Sequence, residues 1–148
     1  AGGQIATLVM AAEMGVDVVD CAFSSMAGMT SQPSLNAFTE AMRFHERDPQ
    51  FDFDELQTTT NYWEQVRKQY EPFETNQKSA SSEVYLHEMP GGQYANLYQQ
   101  AHSLGVGDRW NEIGKTYASV NQLFGDIVKV TPSSKVVGDM ALFMLANN

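Results

Sequence analysis

Val16-Asp17-Val18-Val19-Asp20-Cys21-Ala22-Phe23 is the stretch on which the reading of the fold turns. It is rich in β-branched residues and bounded by Gly15 on one side and Ser24-Ser25 on the other. A short apolar run of this kind predicts a strand buried on both faces, as in parallel sheets. Upstream, Ile5, Leu8, Val9 and Ala12 share one face of an amphipathic helix over residues 4–14, and Gly15 supplies a left-handed stop. Downstream, Leu35, Phe38 and Met42 mark another helix, with Ser34 as its N-cap and Pro33 favouring an extended approach. Helix, strand, loop and helix in that order make a unit of a parallel α/β fold. One parallel strand cannot pair with itself, so the expectation is the C-terminal part of a larger α/β domain. The opening on Ala1-Gly2-Gly3, without Met, points the same way.

In α/β folds ligands bind at the loops beyond the carboxyl ends of strands. Here that loop is Ser24-Ser25-Met26-Ala27-Gly28-Met29-Thr30-Ser31-Gln32-Pro33-Ser34, which gathers hydroxyls, an amide and a glycine. The serines lack a Gly-x-Ser-x-Gly elbow and have no nearby histidine, and Cys21 reads as a small buried thiol. A threonine hydroxyl is a poor isolated acid or base because its pKa is far from neutrality. It can still relay a proton if it accepts one while giving up its own, between two reacting partners and with little water. A loop flexed at Gly28 could give Thr30 that geometry, but spacing alone favours a cap or a turn for it.

The remainder reads as helix. Asp48-Pro49 is a turn signal. Asp54 opens a long helix with Leu56, Trp63, Val66 and Tyr70 on its stripe, and Pro72 closes it. Residues 83–89 read as a short extended segment and Pro90-Gly91-Gly92 as a turn. Two amphipathic helices follow, over 93–104 and 109–124, closed by Gly105 and Gly125. A last helix starts near Thr131, with Val136, Val137, Met140 and Met144 as its buried face.

The 148 residues carry a net charge of −9, which argues against nucleic acid as a partner. No basic run suits an anionic membrane surface, and no apolar run approaches the ~20 residues of a membrane span. The single cysteine fits a reducing, cytoplasmic setting. His45, His87 and His102 show no metal-ligand spacing, so no metal site is expected from this chain alone.

Three stretches carry a resemblance. They are Ser25-Met26-Ala27-Gly28-Met29-Thr30-Ser31-Gln32-Pro33-Ser34, His87-Glu88-Met89-Pro90-Gly91-Gly92-Gln93-Tyr94, and the run from Gly125 to Asp139 that contains Lys129-Val130-Thr131-Pro132-Ser133-Ser134-Lys135. Together they resemble the carboxyltransferase domain of the pyruvate carboxylase family, along the whole of 1–148. The resemblance implies an α/β fold: the last units of a (β/α)8 TIM-type barrel over residues 1–46, then a mostly α-helical funnel over 47–148. It implies carboxyl transfer from carboxybiotin to pyruvate, giving oxaloacetate, in a homo-oligomeric enzyme. The threonine matching Thr30 would be catalytic, relaying a proton between the pyruvate methyl group and the biotin ureido nitrogen. Ser31, Gln32 and Ser34 match the surrounding loop and are candidates for binding substrate or biotin. Biotin would sit on a carrier domain outside this chain. A divalent metal such as Zn or Mn would have its ligands upstream of Ala1. The alternatives are an oxaloacetate decarboxylase α-subunit, which runs related chemistry in reverse, and a non-catalytic association module.

Overall fold

The computed structural model describes residues 2–75 and 77–147. The chain divides into two compact units, Gly3–Ala80 and Ser81 onward. Seven α-helices lie among the described residues: α1 (Gln4–Glu13), α2 (Leu35–Ala41), α3 (Phe53–Arg67), α4 (Val84–His87), α5 (Gly91–Ser103), α6 (Trp110–Leu123) and α7 (Ser133–Ala146).

The α/β expectation is corrected here. No β-strand forms among the described residues, and the structure is almost entirely helical, without a barrel component. The stretch 16–23 runs as irregular chain, and its one β-type pairing among the described residues is an isolated parallel bridge between Ala22 and Ser34. Val16 and Val18 are 45% and 78% exposed rather than buried on both faces. Only Val19 and Cys21 lean on the core. The physical reason is that strand propensity measures how well a segment fits beside another strand. A β-branched run with no partner segment has no ladder to join.

In the first unit α1 packs on α2 around Ala12, Phe38 and Met42, with Ile5, Leu8 and Val9 filling the flank. Gly15 adopts φ +94° and ends α1 as the sequence predicts. Arg47 completes that end from a distance: its guanidinium donates to Ala12 O at 2.8 Å and Val16 O at 2.7 Å. A cation on the last carbonyls suits the negative pole of the helix. The N-cap of α3 is Asp52, whose Oδ1 accepts from Glu55 N–H at 3.0 Å. Asp54, expected in that role, lies one step inside the first turn. The helix ends at Arg67, ahead of a 3₁₀ turn at Glu71–Phe73 that contains Pro72. Trp63 is half-buried and meets Tyr62 edge-on.

The second unit is built on α6, whose Ile113, Tyr117 and Val120 are fully buried at i, i+4 and i+7. α7 covers α6 with Val137, Ala141, Leu142 and Leu145, and α5 adds Leu97 and Ala101. Trp110 donates from its indole N–H to Tyr94 Oη at 3.0 Å, with Tyr98 also edge-on to its ring. The expected extended segment at 83–89 is a helical turn, α4, closed by Glu88 at φ +59°. Pro90 caps α5 directly, so Gly91 and Gly92 are its first residues rather than a separate turn. On α7 the expected inner residues Val136 and Met140 are 53% and 38% exposed. That helix is apolar nearly all round, so its pattern does not select a face.

Candidate functional site

The hydroxyl-rich loop is closed at its base by two bonds. Ala22 N–H donates to Pro33 O at 2.9 Å, and Leu35 N–H donates to Ala22 O at 2.7 Å. Within that frame a 3₁₀ turn, Ser24–Met26, carries the chain away from Phe23. A second tight turn follows. Gly28 N–H donates to Gln32 O at 2.9 Å, and Ser31 N–H donates to Gly28 O at 2.7 Å. Gly28 sits at φ +81° and Met29 at φ +42°. A Cβ on Gly28 would meet nothing within 4 Å, so its backbone angle, not crowding, calls for glycine there.

Thr30 lies in this turn and is half-buried. Its hydroxyl makes no hydrogen bond among the described residues. Ser31 and Gln32 are exposed beside it. Ser34 is engaged instead: its Oγ accepts from Ala37 N–H at 3.2 Å, capping α2, and lies 2.6 Å from Ser24 Oγ.

Residues that the sequence did not single out hold the loop from behind. Ser24 N–H donates to Asn36 Oδ1 at 3.2 Å. Asn36 and Thr60, each 5% exposed, bond reciprocally at 3.0 and 3.2 Å. Arg67 donates to Ser25 O at 2.6 Å, while Glu74 grips the same guanidinium at 2.6 and 3.0 Å. A forked contact of this kind fixes orientation as well as charge. Arg67 holds the Glu74 carboxyl below its usual range through that hydrogen bond. The one sequence signal for Thr60 is its place four residues after Leu56, on the inner stripe of α3.

Cys21 is half-buried, and burial followed by the nearby Asp20 pushes its thiol up, away from the reactive thiolate. The three histidines make local bonds. His45 Nδ1 accepts from Arg47 N–H at 3.1 Å and His87 Nδ1 from Met89 N–H at 2.9 Å, while His102 Nδ1 donates to Tyr98 O at 2.8 Å. Among the described residues no three His, Cys, Asp or Glu side chains converge as a metal site. No helix among them is long and apolar enough to cross a membrane.

A family model described as a conserved carboxylase domain matches residues 84–148. The chain is 56% identical over 147 residues to pyruvate carboxylase of Bacillus subtilis. It is 51% identical over 147 residues to that of Staphylococcus aureus, and 45% over 148 to the mitochondrial enzyme of Homo sapiens. Each comparison covers 99% of this chain, and the chain spans 13% of the length of each of these relatives. Among solved structures it resembles the carboxyl transferase domain of Rhizobium etli pyruvate carboxylase with 3-bromopyruvate. There the TM-score is 0.95 at 54% identity, covering 99% of this chain and 25% of that one. The same domain with pyruvate and biocytin gives a TM-score of 0.93 at 55% identity, covering 97% and 24%.

Proposed function

Because the chain is a homologue of the pyruvate carboxylase carboxyltransferase domain, we propose that it forms part of an enzyme that carboxylates pyruvate to oxaloacetate. Biotin, carried on a domain outside this chain, supplies the carboxyl group. Thr30 is the catalytic residue contributed here. Its Oγ1 takes the proton released by the pyruvate methyl group and gives up its own to the group that has parted with the carboxyl. The proton count balances, and the hydroxyl ends as it began. Ser31 and Gln32 line the approach. Ser34 acts on the loop through its cap on α2 and its bond to Ser24. The intact enzyme is a cytoplasmic homo-oligomer in this reading, with the unpaired Cys21 suited to a reducing setting. No step is assigned to a metal.

The observation that carries the proposal is half-buried Thr30, its hydroxyl without a hydrogen bond among the described residues, on a loop braced from both sides. The test is Thr30→Ala and Thr30→Ser in the full-length enzyme. Losing a positioned proton carrier costs about 10²–10⁴-fold in rate, so the alanine variant should lose pyruvate carboxylation by that order and serine should restore much of it. A wild-type rate for Thr30→Ala removes Thr30 from the mechanism.

A further inference from the structure

The two sequence stretches that this mechanism does not use meet at one place. Pro90, Gly92 and Gln93 from one, and Lys129, Val130, Thr131, Ser134 and Lys135 from the other, border a cleft of about 590 Å³ in the second unit. The first turn of α5 opens there without a side-chain cap, and the N–H groups of Gly91 and Gly92 find no acceptor among the described residues. Helix N-termini of this kind favour anions. Lys129 and Lys135 stand on the opposite wall.

Two buried side chains add an independent reason. Gln93 is 8% exposed and Ser134 is 7% exposed, and both line the cleft. Neither the Gln93 amide nor the Ser134 hydroxyl makes a hydrogen bond among the described residues. Gln100 Oε1, on the same wall, is buried without a partner. Polar groups on side chains this buried normally bond; those of Gln93 and Ser134 retain solvent contact and so stay within reach of a ligand, while Gln100 Oε1 is sealed. The fold also makes room for Gln93. A Cβ at Gly138 would overlap its amide nitrogen, so a glycine stands in mid-helix where alanine would be favoured. Both lysines already have carboxylate neighbours, Glu88 at 2.7 Å and Asp139 at 2.6 Å. Each ammonium has further N–H donors to share.

We propose that this cleft is a binding site for a small phosphorylated or carboxylated polyol. The anionic group sits against the α5 first turn and the lysines. Its hydroxyls take up the unpaired capacity of Gln93 and Ser134. The site is independent of the Thr30 reading and would stand if that reading failed.

Calorimetric titration of the full chain with glycerol 3-phosphate and with D-glycerate tests it, with inorganic phosphate and glycerol as the separated halves. Saturable binding of at least one of the two polyols is expected, about tenfold tighter than either half. Lys135→Gln and Ser134→Ala should each weaken it by about tenfold, and Gln93→Leu should abolish it. Lys135 is exposed, so its variant reports on binding even if the Gln93 variant fails to fold. Absence of saturable binding of both polyols at millimolar concentration overturns the proposal. Binding that inorganic phosphate matches, or that the Lys135 and Ser134 variants leave unchanged, overturns it equally.

Discussion

Replacing Gly138 with alanine sets two known effects against each other. In an ordinary mid-helix position the change stabilises by about 1 kcal/mol, because glycine is the poorer helix former. At Gly138 the new methyl would overlap the Gln93 amide and lie 3.0 Å from Leu97 Cδ1. Forcing an extra carbon into a packed site costs roughly 1–3 kcal/mol. Gln93 is 8% exposed and Leu97 0%, so neither has room to swing aside freely. The expected result is a net loss of about 1 kcal/mol for Gly138→Ala. In a Gln93→Ala background the amide overlap disappears and only the 3.0 Å approach to Leu97 Cδ1 is left, so the same change should be close to neutral. The coupling between the two sites is then on the order of 1 kcal/mol. Urea unfolding of the four proteins, followed by circular dichroism, measures it from the midpoints at constant slope. Equal effects of Gly138→Ala in both backgrounds would refute the idea that Gln93 dictates the glycine.

Two pH effects follow from other groups. Burial, reinforced by Glu88, pushes the fully buried Tyr117 phenol up to about 12. The stability linked to it is complete below the ordinary tyrosine value and falls as pH rises toward 12. The loss is roughly 3 kcal/mol, and Tyr117→Phe should remove that part of the alkaline fall in a pH series of unfolding curves. Glu74 is the opposite case, since Arg67 lowers its pKa. Its contribution is present above the normal glutamate range and fades as pH drops through the depressed value. Arg67→Gln should flatten that acid limb, and an unchanged limb would show that the pair contributes nothing measurable.

Local signals carried most of the helices and few of the longer links. α6 was legible because Trp110, Ile113, Tyr117 and Val120 repeat on one face, and Gly125 closes it at φ +85°. Ser34 was legible as a cap because capping is decided within three residues. The segment Val16–Phe23 misled because its composition reports a preference for a partner that the described residues do not supply. The frame behind Thr30 was hidden for a related reason. Asn36 meets Thr60 from 24 positions away, and Arg67 reaches Ser25 across 42. Neither pair leaves a local pattern. Gln93 was masked too, since an amide at the head of an amphipathic face looks like any polar first turn.

The chain has two tryptophans, and each compact unit holds one of them: Trp63 on α3 and Trp110 on α6. Their surroundings differ, Trp63 beside a single tyrosine and Trp110 between two with its indole N–H engaged. Intrinsic fluorescence is thereby divided between the halves of the molecule. Trp63→Phe leaves a lamp in the second half and Trp110→Phe one in the first, so the melting of each can be followed separately without attaching a dye.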